Sequence, residues 1–274
     1  MTELAKLLTP SAKCPPVEAL MDPSRMSTLK HWGEMPDYAR EHPMKALATV
    51  DCGWGRLIFG QTFDDPEKLA ATLREEKPGQ RDVGFYIRDP HVVIAQAPQS
   101  LFLDPSHTYR LVLQKRALPI PIALGTTWHI RFAESVDLEA LNRIYRARRM
   151  VPVPREYIDK LTKSSAVCLL VAEDVQSGEV LGVVTGVDHV RAFDDPDHGA
   201  SLWSLAVDPQ CTVAGVGLAL ICSLAQHFRH QGRSYLDLSV MHDNREAIAL
   251  YESLGFERVP VYCVKHKNPI NEML

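Results

Sequence analysis

The most constraining feature of this chain is a strand-like segment that leads through a glycine-containing turn into an apolar helical pattern. The strand-like segment covers 201–207, the turn contains Gly215 and Gly217, and the apolar pattern covers 218–228. A strand, a turn and a helix start bring free backbone N–H groups and the positive end of the helix dipole to one point. Glycine lets the backbone approach an anion where a Cβ would collide. The pattern predicts a phosphate-binding turn, although glycine at such a turn also serves packing alone.

The residues that follow extend this unit. Residues 235–241 have the composition of a second strand, and apolar residues at helical spacing follow from Ala247 to Leu254. Gly255 is expected to end that helix as a C-terminal cap. Residues 258–265 alternate in polarity and predict an edge strand. The expected order is therefore strand, phosphate turn, helix, strand, helix, strand.

Three short motifs are spread over this unit. They are Val207-x-Pro209, Gly215-x-Gly217 and Asn244-x-x-Ala247-Ile248-x-Leu250-Tyr251-x-x-Leu254-Gly255-Phe256. Together they resemble the catalytic core of the GNAT superfamily, the acetyl-CoA-dependent N-acetyltransferases. That family usually places Arg or Gln where this chain has Thr212, and often a basic residue where it has Ala214. The resemblance therefore implies a pyrophosphate held mainly by backbone N–H groups.

Composition restricts the class of protein. The chain has 274 residues, of which 46% are hydrophobic and 23% charged, and this suits two globular domains or one large one. A net charge of −4 argues against nucleic acid as the main partner. No basic N-terminus leads into an apolar run, and the longest apolar stretch, 214–225, is too short to span a bilayer. We expect a cytoplasmic protein with no membrane partner.

The cysteines and histidines do not follow a metal-binding pattern. The six cysteines include no C-x-x-C pair, and we expect buried free thiols in a reducing compartment in preference to disulfides. The eleven histidines show no i, i+4 pair with an acidic partner. The sequence predicts no metal site.

Prolines and periodicity divide the chain into three regions. Residues 1–43 predict an extended or partly disordered arm with one short helix near 3–8. Residues 44–118 predict a small α/β lobe, and the prolines and glycine over 118–125 predict a linker. Residues 128–266 are expected to form the acetyltransferase domain. The predicted fold class is α/β (α+β), with a GNAT-like mixed, mostly antiparallel central sheet flanked by helices and an additional N-terminal lobe.

A narrower resemblance covers the whole chain, including the run Asp51-Cys52-Gly53-Trp54-Gly55-Arg56 and the end 265–274. The chain is similar to the N-terminal acetyltransferase region of bacterial N-acetylglutaminylglutamine synthetases, which continue into an ATP-grasp ligase region. This similarity implies an acceptor of the glutamine or glutaminylglutamine type, and an ATP-grasp ligase region or protein as a partner. It also implies either a fragment of a longer ligase or a standalone relative.

The resemblance implies acetyl-CoA as co-substrate. The strand before the turn would pair with the pantetheine arm, or it is an ordinary central strand whose groups are all paired internally. Asn244 would either cap the following helix or bond the pantetheine arm. The predicted cofactor-binding residues are Leu205, Ala206, Val207, Thr212, Val213, Ala214, Gly215, Val216, Gly217, Leu218, Asn244 and Tyr251.

Proton transfer requires an acid and a base. Tyr251 is the predicted general acid for the departing thiolate, and its ring is also expected to pack the helix on the sheet. The predicted bases are His189 and His242, because histidine titrates near neutrality. Asp188, Ser204 acting through a water, or a chain of waters are the alternatives.

Two charged groups bear on the acceptor. Arg146, Arg148 and Arg149 either meet a substrate carboxylate or are exposed to solvent. The acidic run 194–198 is either a solvated loop or faces a cationic substrate.

The leading hypothesis is an N-acetyltransferase that acetylates a small-molecule amine by direct attack in a ternary complex, where proximity supplies much of the rate. The alternatives are acetylation of a protein N-terminus or lysine, and a non-catalytic CoA-binding module of a ligase system.

Overall fold

The computed structural model describes residues 17–21, 43–114 and 127–269 of the chain. The described strands are β1 (Thr49–Asp51), β2 (Arg56–Phe59), β3 (Val83–Ile87), β4 (Leu101–Leu103), β5 (Ser106–Val112), β6 (Trp128–Phe132), β7 (Val167–Asp174), β8 (Val180–Asp188), β9 (Gly199–Val207), β10 (Tyr235–Met241), β11 (Glu257–Val259) and β12 (Tyr262–His266). The α-helices are α1 (Val17–Met21), α2 (Pro66–Arg74), α3 (Pro90–Gln96), α4 (Leu138–Ala147), α5 (Arg155–Thr162), α6 (His189–Phe193), α7 (Val216–His230) and α8 (Arg245–Ser253). Short 3-10 helices cover Gly60–Thr62 and Ser135–Asp137. In this part of the chain, no helix has both the length and the apolar character that a membrane crossing needs.

The strands form two mixed sheets. One has seven strands in the order β11-β5-β10-β9-β8-β7-β6, and the other has five in the order β1-β2-β3-β12-β4. Pairing is antiparallel throughout, except for the parallel pairs β9–β10 and β2–β3. Helices flank the strands, so the predicted mixed and mostly antiparallel fold class is confirmed.

The strands β7 and β8 form an antiparallel hairpin. Its turn is fixed locally, because the Asp174 carboxylate accepts the N–H groups of Gln176 and Ser177 at 2.9 and 2.8 Å. All of β8 is buried, since the strand lies inside the sheet with helices against it.

The helix α7 packs closely on β8 and is thereby held in position. A Cβ at Gly186 would lie 2.6 Å from Leu224 and 2.7 Å from Phe228 of α7, so only glycine allows this approach. The start of α7 also lies against β8, because a Cβ at Gly182 would lie 3.1 Å from Val216, the first residue of the helix.

The two sheets exchange strands. β5 precedes the predicted linker but pairs with β10 and β11, while β12 from the end of the chain lies between β3 and β4. The single edge strand predicted over 258–265 is wrong, because Pro260 separates β11 from β12 and β12 crosses to the other sheet. The predicted ranges 44–118 and 128–266 each contribute a strand to the other's sheet, and their division into domains stays a prediction.

A buried ion pair joins the exchanged strand to its neighbours. Arg110 of β5 donates to both carboxylate oxygens of Asp237 in β10, at 2.8 and 2.7 Å, and both side chains are fully buried. The Tyr86 hydroxyl of β3 donates to the same carboxylate at 2.8 Å. One carboxylate thus ties both sheets together.

Residues 17–21, within the arm predicted over 1–43, form a short helix. Leu20 of α1 is buried, and its carbonyl accepts a hydrogen bond of 3.0 Å from Arg110. This short helix packs on Val112 and Tyr235, and the extended or partly disordered arm over 1–43 stays a prediction. The predictions that lie outside the described residues are the helix near 3–8, Cys14 and the linker over 118–125.

The described cysteines are free thiols, as predicted. Cys52, Cys168, Cys222 and Cys263 are buried, whereas Cys211 is half-buried. Burial raises the pKa of Cys168 and Cys263 to about 12, so both thiols stay protonated near neutral pH.

Candidate functional site

The two parallel strands of the seven-stranded sheet separate halfway along their length. β9 and β10 pair from Gly199 with Tyr235 to Leu202 with Leu238, and the pairing stops there. β10 continues beside β5, whereas β9 continues beside β8. Beyond Leu202, one edge of β9 therefore has no strand neighbour among the described residues.

A bulge marks the point of separation. Val183 of β8 faces Ala206 and Thr185 faces Trp203, so β9 has one residue more than β8 in this stretch. Ser204 adopts the left-handed φ of +50° within it. Bulges re-aim side chains and are enriched beside active sites. A serine gives no local sign of a bulge, and for this reason the sequence did not indicate it.

Backbone direction shows which predicted residues face the open edge. The N–H of Asp208 points to β8, where it bonds the carbonyl of Leu181 at 2.8 Å. Because successive residues of a strand direct their groups to opposite sides, Val207 and Leu205 direct theirs to the open edge. Ala206 directs its groups to β8. Of the predicted strand residues, Leu205 and the N–H of Val207 are free to pair with an extended ligand, because the Val207 carbonyl already accepts a hydrogen bond from Arg148.

The predicted acceptor arginines lie at the surface. Arg146, Arg148 and Arg149 are all exposed. Arg148 donates from Nε to the carbonyl of Val207 at 2.7 Å, so it braces the end of β9. Because Arg146 and Arg149 are exposed, the solvent-exposed alternative is favoured for these two arginines.

The turn after β9 leads to a helix end without a side-chain cap. Asp208 accepts the N–H of Gln210 at 2.8 Å and forms an ion pair with Arg143. Gly215 is the N-cap residue of α7 and provides no side-chain hydrogen bond. The N–H groups along this end belong to Val213, Ala214, Gly215, Val216, Gly217 and Leu218. The first turn of α7 therefore presents donors to an outside acceptor.

Glycine is present at positions 215 and 217 of this turn for different reasons. Gly215 has a φ of +84°, which favours glycine for backbone reasons alone. At Gly217 a Cβ would meet only Val207, at the ordinary contact distance of 3.5 Å, so packing does not require glycine there. Thr212 and Ala214 are exposed, and neither carries a charge.

Tyr251 lies on α8 and combines a packed ring with an unused hydroxyl. Its ring centroid is 5.6 Å from that of Phe256, and the residue is 7% exposed. The hydroxyl makes no hydrogen bond to any residue that the structure describes. Burial raises the pKa of Tyr251 to about 12, so the phenol keeps its proton at neutral pH.

Asn244 is the N-cap of α8. Its side-chain oxygen accepts the N–H of Ala247 at 3.2 Å, which is the capping alternative. The residue is exposed, and its amide NH₂ points to no acceptor within the described parts of the chain.

His189 lies in the core and does not suit a general base. It is completely buried, and its Nε2 lies 2.9 Å from the Ser201 hydroxyl. Its Nδ1 lies 3.6 Å from a carboxylate oxygen of Asp195, and Phe59 and Phe193 pack on the ring. A substrate amine cannot reach this imidazole without opening the core.

The other candidate bases differ in access. Asp188 is held by Arg233 through two hydrogen bonds of 2.9 Å each and also caps α6. His242 is exposed, just after the end of β10. Ser204 lines a cavity beside the strand separation.

The acidic run 194–198 is partly structural. Asp195 accepts the N–H of Gly199 at 2.8 Å and the hydroxyl of Tyr235 at 3.0 Å, and both Asp195 and Asp197 are buried. Burial opposes ionisation of Asp195, but the interaction with the His189 side chain and the N–H groups of Gly199 and Asp197 lower its pKa below the usual value. The expected solvated loop is therefore wrong at these two positions.

The cavity lies where the two sheets meet. Its volume is about 170 Å³. Its polar lining residues are Arg81, Asp104, Ser106, Ser204, Ser239 and Lys265. Its apolar lining residues are Trp54, Val83, Met150, Val151, Trp203 and Met241. These residues come from separate parts of the chain, and no sequence pattern links them.

Comparisons with known proteins agree with the geometry. Residues 138–256 match the family model described as "Acetyltransferase (GNAT) family". The mycothiol acetyltransferase of Kocuria rhizophila is 37% identical over 90 residues, which are 33% of this chain and 29% of that protein. The [ribosomal protein bS18]-alanine N-acetyltransferase of Escherichia coli K12 is 42% identical over 62 residues, which are 23% of this chain and 42% of that protein. The chain thus spans less than half the length of these relatives.

Solved structures share the fold over most of the chain. A Drosophila protein aligns with a TM-score of 0.56 and 13% identity, covering 92% of this chain and 85% of that one. A putative acetyltransferase from the GNAT family of Novosphingobium aromaticivorans aligns with a TM-score of 0.52 and 14% identity, covering 80% and 87%. At these identities the likeness shows the fold alone.

Proposed function

We propose, because residues 138–256 match the model of the GNAT acetyltransferase family, that the protein transfers the acetyl group of acetyl-CoA to the amine of a small molecule. One observation carries the proposal. β9 leaves β10 at Leu202, presents an unpaired edge, and leads into the helix end at Gly215 that has no side-chain cap. An extended arm that ends in phosphates matches both parts of this arrangement.

The residues present fit the cofactor. The free N–H groups at the start of α7 are donors of the kind that bind pyrophosphate. Gly217 has no packing reason to be glycine, and the bare backbone there leaves room for a phosphate. Because Thr212 and Ala214 are uncharged, backbone groups supply the contacts. The amide-rich arm of CoA would pair with Leu205 and Val207 along the open edge.

Acetyl-CoA supplies an acetyl group activated as a thioester, and the protein supplies positions and protons. The free phenol of Tyr251 donates its proton to the departing thiolate; its hydroxyl is unused, and its raised pKa keeps it protonated at neutral pH. An N–H group at the open edge of β9 stabilises the charge that develops on the carbonyl oxygen. Ser204, at the bulge, relays the amine proton through water, since it lines the cavity.

The size of the cavity supports a small acceptor. A volume of about 170 Å³ is similar to that of a cavity that holds a benzene-sized molecule. The acceptor types of glutamine and glutaminylglutamine, and the ATP-grasp ligase partner, rest on the narrower sequence resemblance and stay predictions. The non-catalytic alternative also remains part of the test.

A second candidate is acetylation of a protein N-terminus. It is favoured by the 42% identity to the ribosomal-protein alanine N-acetyltransferase over 62 residues. Against it, Trp54, Arg81 and Val83 of the five-stranded sheet and its loops form part of the cavity wall and reduce the space for a long peptide.

Release of CoA thiol in the presence of acetyl-CoA tests these candidates. Glutamine, glutaminylglutamine, a lysine peptide and a peptide with N-terminal alanine serve as acceptors. We expect turnover with one of the small amines, and a preference for either peptide would favour the second candidate. No turnover with any amine, combined with thermal stabilisation by CoA, would contradict the enzymatic proposal and support a CoA-binding module.

A further inference from the structure

Part of the cavity wall is built by the region outside the family match. Trp54 lies in the loop before β2, and Arg81 lies in the loop before β3. Neither residue belongs to the matched range 138–256. If the proposed acetyl transfer is correct, residues of the five-stranded sheet and its loops can therefore determine which acceptor binds.

The two loops are fixed to one another. The N–H of Arg81 bonds the carbonyl of Trp54 at 3.0 Å. A Cβ at Gly55 would lie 2.0 Å from the Arg81 carbonyl oxygen, so only glycine allows the loops to approach this closely. Arg56 donates to Asp82 through Nε at 2.9 Å and through its terminal nitrogen at 2.7 Å. The run 51–56, which stood out in the sequence, thus holds Trp54 and Arg81 in fixed positions.

The charge of Arg81 is not neutralised by a direct partner. Its guanidinium forms neither a hydrogen bond nor an ion pair within 4 Å with any described residue. Burial lowers the pKa of Arg81, while the carboxylates of Asp104 and Glu76, which lie farther off, raise it. Asp104 is already paired with Lys265 at 2.6 Å, and Glu76 accepts the N–H of Asp82. The cavity lining therefore carries two cations and one carboxylate.

A second donor in the cavity lining is also unused. Trp54 is 6% exposed, and its indole Nε1–H has no hydrogen-bond partner among the described residues. A buried indole N–H normally finds an acceptor, because leaving it unpaired costs free energy. A half-buried guanidinium and a buried indole N–H thus line one small cavity. Together they favour binding of an anionic group that accepts hydrogen bonds.

We propose that the acetyl acceptor is an amine that also carries a carboxylate, and that Arg81 binds this carboxylate with Trp54 as a second donor. Arg81 is suited to a bidentate bond with a planar carboxylate. The acceptor class is accordingly amino acids or short peptides with a free carboxylate, and Arg81 is a residue that determines specificity.

Matched substrates test the proposal. Each amine is assayed as the carboxylate and as the carboxamide, beginning with glutamine and glutaminamide and then the corresponding dipeptides. Wild-type protein is expected to prefer the carboxylate in kcat/KM by about 10- to 100-fold. In Arg81→Ala the KM for the carboxylate rises by that factor, while kcat/KM for the carboxamide is unchanged. Trp54→Phe is expected to show the same pattern with a smaller change.

Arg74→Ala is the matched control, because Arg74 is an exposed arginine of the same sheet's helix α2. It should retain the preference. Thermal stabilisation of each variant by CoA reports whether the cofactor site is intact, since Arg81 lies away from the start of α7. An equal loss on both substrates in Arg81→Ala, or no preference in the wild type, overturns the proposal.

Failure of the proposed function gives a different result. Absence of turnover with all amines, together with stabilisation of the wild type but not of Arg81→Ala by the carboxylate ligands, rejects acetyl transfer and retains the carboxylate site. Absence of both turnover and such stabilisation rejects both.

Discussion

Each sheet contains a parallel strand pair connected through a helix, β2–α2–β3 in the five-stranded sheet and β9–α7–β10 in the seven-stranded one. In the first, β2 stays paired with β3 up to its last residue, Phe59, and Asp65 caps α2 by accepting the N–H of Glu67 at 2.8 Å. In the second, β9 leaves its partner at Leu202, and α7 begins at Gly215 without a side-chain cap. The same topology therefore yields one closed unit and one open unit. Only the open unit has unused backbone groups for a ligand, and the closed unit supplies a wall of the cavity.

The largest effect is expected when the ion pair that connects the two units is removed. Arg110→Ala leaves the Asp237 carboxylate buried without its cation, and the free energy of unfolding is expected to fall by about 3–5 kcal/mol. Because the sheets exchange strands, urea should unfold both in a single transition. The exposed Arg74→Ala is expected to keep wild-type stability. Two separate transitions in Arg110→Ala, with one at the wild-type midpoint, would contradict the coupling of the units.

The chemistry is expected to depend on the open unit. Tyr251→Phe removes the hydroxyl and keeps the packed ring, so kcat should fall by about 100-fold while CoA still stabilises the protein thermally. The acid form is the active one, and burial holds the pKa of Tyr251 at about 12, so kcat/KM for acetyl-CoA should not decline through Tyr251 as the pH passes 10. Tyr157→Phe, at a half-buried tyrosine of α5, is the control. Unchanged kcat in Tyr251→Phe would remove the acid role.

A negative charge at the start of α7 should weaken the binding of phosphate to the open unit. Gly217→Asp places a carboxylate beside the proposed pyrophosphate, and the KM for acetyl-CoA should rise by at least about tenfold. Aspartate in the first turn of a helix is favourable, so the thermal midpoint without ligand should be equal or higher. A raised KM with a lowered midpoint would indicate misfolding and contradict the proposed reason for glycine.

Removal of the helix cap in the closed unit should have the smallest effect on stability and none on activity. Asp65→Ala removes the cap of α2, and the free energy of unfolding is expected to fall by about 1 kcal/mol. The kcat and both KM values should stay at wild-type levels, since no ligand is proposed at this helix. A change in the KM for acetyl-CoA would show that the two helix ends are functionally equivalent.

Local signals in the sequence predicted much of the open unit. The structure contains the turn with Gly215, the helix after it and the cap at Asn244. Each of these features depends only on residues close to it in the sequence. The hairpin β7–β8 follows from alternating residues around a turn that Asp174 stabilises with its own side chain. Such features need no knowledge of distant contacts.

Features that depend on distant contacts could not be predicted in this way. The bulge at Ser204 is visible only against β8, and the path of β12 depends on which sheet has a free position. His189 resembles a surface histidine until the aromatic rings around it are assembled. Arg81 and Trp54 share a cavity because two loops meet through a backbone hydrogen bond, which no spacing between them indicates.

The exchange of strands also has a consequence for synthesis of the protein on the ribosome. The five-stranded sheet lacks the strand between β3 and β4 until residues 262–266 have emerged, although its other strands are made early. β5 in turn must wait for β10, which pairs with it across more than a hundred residues of chain. Contacts of such long sequence separation form slowly. Neither half of the nascent chain can complete its sheet alone, so the early strands must stay unaggregated until residues 262–266 have been synthesised.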